Sequence, residues 1–214
     1  MKRRIVLLGP PASGKGTIAD NLRVHFQLPS ASPGAMLREE KADGTPLGIE
    51  ADSLTRGGNL VGDKIINSVV AAWLGKQGGD CFVFDGYPRT LGQAEALELM
   101  LADRKQPLDV VLLLEADITT LRSRVENRAT CKACGNIVSI GLHVGDVSAN
   151  CPRCGGALTR RVDDNAETLE RRFAEYAEKT APLISYYEKR QLLHRVNTEQ
   201  LPEKVFAEVC QILN

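Results

Sequence analysis

The chain has 214 residues, which is enough for one substantial hydrophobic core with insertions. Its 27 Lys and Arg residues balance its 27 Asp and Glu residues, and this zero net charge argues against a general nucleic-acid binder. No apolar run approaches the roughly 18 residues that span a bilayer, so we also expect no membrane partner.

The first predicted element is a short buried strand that runs from Ile5 to Leu8. This apolar run ends at Gly9-Pro10-Pro11 and is too short for the hydrophobic region of a signal peptide. Apolar residues on both sides of a strand are typical of a parallel sheet that is covered on both faces. We therefore expect a cytoplasmic protein, in which thiols stay reduced.

A glycine-rich loop, Gly9-Pro10-Pro11-Ala12-Ser13-Gly14-Lys15-Gly16-Thr17, follows this strand and leads into a helix predicted over 15–26. The strand, loop and helix are the setting of a Walker A motif, whose backbone N–H groups surround phosphate oxygens while Lys15 reaches the β- and γ-phosphates. The Mg²⁺-binding hydroxyl normally follows the lysine directly, but here Gly16 intervenes and Thr17 comes second. A plain strand-to-helix turn with incidental glycines is the alternative.

Helices and apolar strands alternate along the rest of the chain, which predicts an α/β fold with a parallel sheet between two helical layers. The predicted strands are 81–84, 110–114 and 194–196. The predicted helices are 35–42, 48–56, 63–74, 91–101, 118–128, a long helix over 165–190 that bends at Pro182, and 203–213.

Two stretches fall outside this alternation, and we expect both to be insertions at the carboxyl edge of the sheet, where open α/β folds bind ligands. We name 32–61 the helical insertion and 127–164 the cysteine segment. The predicted core domain then consists of 1–31, 62–126 and 165–214.

Two cysteine pairs, Cys131-x2-Cys134 and Cys151-x2-Cys154, predict a closed, structural Zn²⁺ site with four thiolate ligands. Such a site leaves no position for a catalytic water, although it also accepts Fe or Co. The residues between the pairs, 136–144, predict a β-hairpin that a metal would stabilise. A nucleic-acid-binding zinc ribbon is disfavoured because 130–160 contains no aromatic residue. Redox sensing by the CxxC pairs is a third possibility.

Two motifs, Gly14-Lys15-Gly16-Thr17 and Phe84-Asp85-Gly86-Tyr87-Pro88-Arg89-Thr90, together resemble the adenylate kinase family. Asp163-Asp164 and the stretch 180–187 add to the likeness, and the cysteine segment is similar to the lid of zinc-bearing bacterial members. The resemblance implies a P-loop NTPase fold in which the helical insertion binds the nucleoside monophosphate. It also implies phosphoryl transfer from MgATP to AMP, giving two ADP, and we expect a monomer.

The resemblance further implies roles for individual residues, many of them arginines, whose planar guanidinium grips phosphate oxygens in pairs. The expected catalytic residues are Lys15, Asp85, Arg89, Arg128, Arg161 and Arg172. The expected ATP contacts are Ala12, Ser13, Gly14, Lys15, Gly16, Thr17, Arg124, Arg128 and Gln200. The expected AMP contacts are Pro33, Arg38, Asn59, Leu60, Val61, Gly86, Tyr87, Pro88, Arg89, Gln93, Arg161 and Arg172. The expected metal ligands are Cys131, Cys134, Cys151 and Cys154.

The chain departs from the family pattern chiefly on the AMP side. Pro33 replaces a threonine and Ala35 a carboxylate, while Ala12 replaces a glycine of the phosphate loop. These departures lead to two alternative hypotheses: a kinase with an altered monophosphate preference, or a member of the family that binds ATP without turnover.

Overall fold

A computed structural model describes residues 1–56, 61–77, 80–141, 143–160 and 165–214, with the side chains of 52–56 and 166 left out of the description. The strands are β1 (Arg4–Leu8), β2 (Ser30–Ala31), β3 (Phe82–Asp85), β4 (Val110–Glu115), β5 (Arg128–Cys131), β6 (Ile137–Ser139), β7 (Leu158–Thr159) and β8 (Leu193–Asn197). The helices are α1 (Lys15–Phe26), α2 (Pro33–Ala42), α3 (Pro46–Arg56), α4 (Asp63–Lys76), α5 (Leu91–Asp103), α6 (Ile118–Glu126), α7 (Ala166–Glu175), α8 (Pro182–Glu188) and α9 (Pro202–Leu213).

Five strands form one parallel sheet in the order β2-β3-β1-β4-β8, which confirms the predicted α/β fold. Ile5 lies opposite Val83 on one side and Val110 on the other. Strand β2 was not predicted because its two residues carry too little apolar pattern to identify a strand. It forms because β3 offers it a partner.

Alternate side chains of the sheet point into two separate cores. On one face Val6, Phe84 and Leu113 belong to a core that includes residues of α4, α5 and α8. On the other face Ile5 and Leu112 belong to a core that includes residues of α1 and α9. Helices therefore cover both faces of the sheet, and the carboxyl ends of β1, β3 and β4 remain at an open edge. None of the helices in the described ranges is both long and apolar enough to cross a membrane.

The helical insertion begins with a well-formed cap. The Ser32 hydroxyl accepts a hydrogen bond from the Ala35 backbone N–H, and Pro33 occupies the first helical turn of α2. Proline suits this position because its missing N–H would have no partner inside the helix. Helix α2 therefore starts at Pro33, two residues before the predicted start of 35–42.

The cysteine segment forms a small antiparallel sheet in the order β6-β5-β7. The predicted hairpin over 136–144 is wrong, because β6 pairs with β5 and not with the residues that follow it. Arg128, predicted as the last residue of a helix, is the first residue of β5 instead. Ala129, Cys131 and Val138 alternate with exposed or half-buried neighbours and form the core of this sheet with Cys151 and Leu158.

The predicted helix over 165–190 is interrupted before Pro182. Helix α7 is followed by a π-helical turn, Tyr176–Thr180, and then by α8. The Ala181 N–H donates to the Tyr176 carbonyl, five residues back, at 2.8 Å. Proline has no N–H to continue the α-helical pattern, so the chain changes its hydrogen bonding at this point.

Candidate active site

A cleft of about 910 Å³ lies at the carboxyl edge of the central sheet. The phosphate loop and the end of β3 form its floor, with α7, the π-helical turn and the stretch 198–205 around it. Residues of β5 and β6 bring the cysteine segment to the same cleft. Parallel strands place all their carboxyl ends at one edge, so residues distant in sequence meet here.

The phosphate loop is packed tightly against the sheet. Gly9 has φ of 145°, and a β-carbon there would lie 2.5 Å from the Leu114 carbonyl oxygen and 2.6 Å from the Ser13 hydroxyl. Only glycine fits at this position. Ala12 adopts φ of 64°, a left-handed conformation that is strained for a residue with a side chain. The loop therefore keeps the left-handed backbone that a glycine adopts freely, and Ala12 bears the strain.

Lys15 is held inside this loop. Its Nζ donates hydrogen bonds to the carbonyl oxygens of Gly9 at 2.7 Å and Pro10 at 2.8 Å. Burial lowers the pKa of Lys15 to about 8, and nearby Asp85 opposes that shift. The ammonium group is thus held at the loop by carbonyl oxygens that a phosphate could replace.

Asp85 lies at the end of β3, directly beside the start of α1. A β-carbon on Gly16 would be 3.5 Å from its Oδ2, so the carboxylate faces the first turn of that helix. Burial raises the pKa of Asp85, while Lys15 and Arg89 act in the opposite direction. The pKa of Asp85 therefore lies above its ordinary value, because burial outweighs the two cations.

Three of the four arginines predicted to be catalytic, Arg89, Arg128 and Arg172, line the cleft. Arg89 donates from Nε to the Gly86 carbonyl oxygen at 2.8 Å, which orients its guanidinium. Arg89 and Arg172 both lower the pKa of Lys15, so their charges act on the phosphate loop. Arg161 lies outside the described residues.

Arg124 also lines the cleft, and its guanidinium donates to the Ala12 carbonyl oxygen of the phosphate loop at 3.4 Å. Its guanidinium donates to the Thr198 hydroxyl at 3.2 Å and to the Thr198 carbonyl oxygen at 2.5 Å, and burial lowers its pKa. Thr198 is buried and donates in turn to the Glu115 carbonyl oxygen at 2.9 Å. Gln200 lines the rim beside it. Thr198 was not predicted, because no sequence motif marks the stretch after β8.

The residues predicted to contact AMP are divided between the cleft and the core. Gly86 and Pro88 line the cleft with Arg89. The Tyr87 ring is fully buried, and its hydroxyl donates to the Asn67 side-chain oxygen at 2.8 Å. Only the backbone of Tyr87 is therefore placed near the cleft.

Gln93 is buried, and both ends of its amide are engaged. Its Nε2 donates to Asp63 Oδ1 at 2.6 Å, and its Oε1 accepts from the Arg89 backbone N–H at 2.7 Å. Asp63 also accepts a hydrogen bond from the Thr90 hydroxyl, which caps α5. These bonds hold the loop before α5 to the start of α4.

The remaining predicted AMP contacts lie in and around the helical insertion. Pro33 begins α2, Arg38 is exposed on the same helix, and Val61 packs against the core that contains α4. Ser32, beside Pro33, lines the cleft. Asn59 and Leu60 lie outside the described residues.

The four cysteines of the two CxxC pairs are brought together by the small sheet. Their sulfur atoms all lie within 4.8 Å of one another, with Cys131 and Cys154 at 3.5 Å and Cys134 and Cys151 at 3.8 Å. None of the six cysteines forms a disulfide.

The backbone around the sulfur atoms suits thiolate ligands. Gly135 and Gly155, which follow the two pairs, have φ of 71° and 73°, a left-handed backbone that glycine adopts without strain. The Cys134 backbone N–H donates to Cys131 and lowers the pKa of that thiol. Four soft donors in one cluster, with an N–H group facing sulfur, fit a tetrahedral metal ion.

Several residues of the cysteine segment line the cleft although no sequence motif identified them. They are Ile137, Val138, Ser139 and His143. These residues reach the cleft because β6 pairs with β5. The sequence predicted a local hairpin over 136–144 instead, so it did not place them in the cleft.

A phosphate-binding loop between a parallel strand and a helix, with a buried lysine and a cleft lined by arginines, defines a P-loop nucleotide-binding protein. The family model for adenylate kinase matches residues 7–192. The chain is 39% identical over 213 residues to an adenylate kinase of Thermodesulfovibrio yellowstonii, covering 98% of both chains. It is 42% identical over 214 residues to one of Pseudothermotoga lettingae, covering 98% of this chain and 97% of that one. It is also 42% identical over 197 residues to one of Syntrophotalea carbinolica, covering 91% and 90%. The chain belongs to the adenylate kinase family.

Proposed function

We propose that this chain transfers a phosphoryl group from MgATP to AMP and releases two ADP. The observation that carries the proposal is the meeting of Lys15 and Asp85 with three arginines in one cleft, in a chain of this family. Phosphoryl transfer requires little covalent participation by the protein. It requires alignment of both nucleotides and stabilisation of charge on the transferred group, and these cations supply that charge.

ATP is proposed to bind with its phosphates on the loop formed by Ala12, Ser13, Gly14, Lys15, Gly16 and Thr17. Lys15 would exchange its bonds to the Gly9 and Pro10 carbonyl oxygens for phosphate oxygens. The ATP base would lie against Arg124 and Gln200, which both line the cleft. Asp85 and Thr17 would hold the hydrated Mg²⁺ of MgATP, which supplies further charge neutralisation.

AMP is proposed to bind beside Gly86 and Pro88, with its phosphate held by Arg89 and Arg172. Arg38, Val61, Asn59, Leu60 and Arg161 stay predictions for this side. Beyond its bonds to Asp63 and the Arg89 N–H, the Gln93 amide keeps one N–H and one oxygen lone pair, and these would pair with the adenine edge. The departures at Pro33 and Ala35 are the reason to retain the hypothesis of an altered monophosphate preference.

The division into a core, a helical insertion over 32–61 and a lid over 127–164 is likewise proposed. The metal is proposed to be a structural Zn²⁺ held by Cys131, Cys134, Cys151 and Cys154. It supplies the cross-links that keep a small sheet folded while the lid moves over the nucleotides. A monomeric state and a cytoplasmic location stay predictions.

The proposal is tested by a coupled assay of ADP formation from ATP and AMP. The wild-type chain should turn over, and Lys15→Met should abolish turnover while its circular dichroism spectrum stays unchanged. Normal turnover by Lys15→Met would contradict the role of the phosphate loop. A folded wild-type chain that binds ATP without forming ADP would support the non-catalytic alternative.

The monophosphate preference is tested by comparing AMP, GMP, CMP and UMP as acceptors at saturating ATP. The altered-preference hypothesis expects another monophosphate to have a higher kcat/KM than AMP, or AMP to have a KM well above the micromolar range. An AMP preference with an ordinary micromolar KM would exclude that hypothesis and support AMP as the acceptor.

A further inference from the structure

The small sheet of the cysteine segment has two chemically different faces. Ala129 and Val138 point into its core with the cysteines. Arg128 lies directly opposite Ser139 in the register, so the side chains of this pair share the other face. Arg128, Ile137 and Ser139 all line the cleft, and so does Val138, which lies between the latter two although its side chain is buried in the core. The sheet therefore presents one face to its metal-binding core and the other to the nucleotide cleft.

His143 is attached to the cleft face by two hydrogen bonds to one residue. Its backbone N–H donates to the Ser139 carbonyl oxygen at 2.8 Å. Its ring Nδ1 accepts from the Ser139 backbone N–H at 2.9 Å. A backbone N–H can only donate, so Nδ1 is the unprotonated nitrogen and the neutral ring carries its proton on Nε2.

The Nε2–H group is available to a ligand. His143 is exposed and lines the cleft, and Nε2 has no hydrogen-bond partner within the part of the chain that the structure describes. Because Nδ1 is held by the backbone, the ring cannot rotate freely, and its free donor has a defined orientation relative to β6.

The position of His143 indicates which part of a nucleotide it meets. The Ile140 N–H donates to the Asn127 carbonyl oxygen at 2.6 Å, which ties the turn before His143 to the end of α6. Arg124, against which the ATP base is proposed to lie, is in the last turn of that helix. The turn before His143 is thus tied to the helix that carries the residue proposed to contact the ATP base.

We infer that His143 is an ATP-binding residue, which donates a hydrogen bond from Nε2–H to an oxygen or nitrogen of the nucleoside moiety. The inference rests on the proposed function for the location of ATP. It makes His143 the residue through which the cysteine segment reads the nucleoside, while Arg128 on the same face contacts the phosphates.

Steady-state kinetics of His143→Ala test this inference. We expect the KM for ATP to rise about five-fold, the size of one neutral hydrogen bond, with kcat and the KM for AMP within about two-fold of wild type. His143→Gln, which keeps an amide donor, should restore the KM for ATP to within about two-fold. His143→Phe, which keeps a ring without a donor, should behave like His143→Ala.

Two binding probes separate a nucleoside contact from a phosphate contact and from a loss of folding. By calorimetry, His143→Ala should weaken binding of a non-hydrolysable ATP analogue about five-fold and leave binding of inorganic tripolyphosphate unchanged. Val147→Ala, a change at another exposed position of the same segment, should alter neither. Zinc content and thermal midpoint should be equal in all variants.

Nuclear magnetic resonance of the wild-type chain supplies a test that does not depend on variants. The Nε2-protonated tautomer of His143 should be observed, and its Nε2 resonance should shift on addition of the ATP analogue but not of tripolyphosphate. An unchanged resonance, an unchanged KM in His143→Ala, or wild-type behaviour of His143→Phe would overturn the inference. Absence of ADP formation by the wild type would instead count against the proposed function. Binding of the ATP analogue is measured separately, so the two failures can be told apart.

Discussion

The helical insertion packs buried side chains into the core of the central sheet, whereas the cysteine segment has a small core of its own. Met36 of α2 belongs to the cluster that contains Phe84 and Trp73, and Leu37 and Leu47 pack against it. Glu40 of the same helix forms an ion pair with Lys76 of α4 at 2.9 Å. The insertion is therefore stabilised by contacts with the rest of the protein.

The cysteine segment has no comparable support among the residues that the structure describes. Its buried cluster consists of Ala129, Val138 and Leu158 with two of the cysteines, and Ile140 and Val144 pack against them. So small a core is marginal without cross-links. The two segments at this cleft thus differ in their support: one shares the main core, and the other has a small core of its own and four cysteines that could hold a metal ion. We therefore expect the helical insertion to unfold together with the core. We expect the cysteine segment to unfold independently of the core.

The largest expected effect is on the metal. Structural zinc contributes about 10–16 kcal/mol in small domains, so loss of one of four thiolates in Cys151→Ser should weaken zinc affinity at least about a hundred-fold. We expect limited proteolysis to cleave within 127–164 while the core stays intact. Zinc analysis and the fragment pattern measure both effects. Cys210→Ser, outside the cluster, is the control, and full zinc content in Cys151→Ser would contradict a four-thiolate site.

The second-largest effect is expected in the free energy of unfolding, when a core side chain of either segment is shortened. Met36→Ala removes a fully buried side chain from the main core and should lower the free energy of unfolding by about 2–5 kcal/mol. Val138→Ala, in the cysteine segment, should leave the free energy of global unfolding within about 0.5 kcal/mol of wild type. Urea unfolding followed by fluorescence of Trp73, which lies in the Met36 cluster, measures both. Equal losses would show that the two insertions unfold together with the core.

The ion pair of the helical insertion predicts a pH dependence. Hydrogen bonds from Lys76 and Thr45 hold the pKa of Glu40 below its ordinary value of 4.5. A carboxylate with a depressed pKa stabilises the fold above the ordinary value, and the stabilisation is lost as the pH falls through the folded-state pKa.

Glu40→Gln should therefore lower the thermal midpoint by a few degrees at pH 7 and approach wild type near pH 3. Thermal scans between those pH values measure the convergence, with exposed Glu39→Gln as the matched control. Parallel profiles for wild type and Glu40→Gln would contradict the prediction, because they would mean that the pair contributes nothing that depends on ionisation.

The smallest effect is expected in the phosphate loop, which depends neither on the metal nor on the insertion core. Ala12→Gly should relieve a left-handed strain of about 1–2 kcal/mol and introduce about 0.5–1 kcal/mol of backbone entropy. We expect a net gain near 0.5 kcal/mol in urea unfolding, roughly the difference between these two contributions. Ala96→Gly, within α5, should instead lose about 1 kcal/mol. A loss in both variants would indicate that the φ of Ala12 is not strained.

The sequence by itself determined the elements whose signal is local. Periodicity and spacing were enough to predict features whose pattern lies within a few neighbouring residues. These features are the buried strands β1, β3 and β4, the helix after the phosphate loop and the two CxxC pairs. The same local information predicted a phosphate loop that contains Lys15, and Lys15 lines the cleft in the structure.

Only the tertiary structure decided what depends on partners distant in the chain. Strand β2 exists because β3 pairs with it, and β6 pairs with β5 because the apolar sides of both strands are buried in one core. Gln93 donates a hydrogen bond to Asp63, which is 30 positions away in the chain. Arg124 donates one to Thr198, which is 74 positions away. Such pairings depend on which surfaces the fold brings together, and short-range sequence patterns carry no information about them.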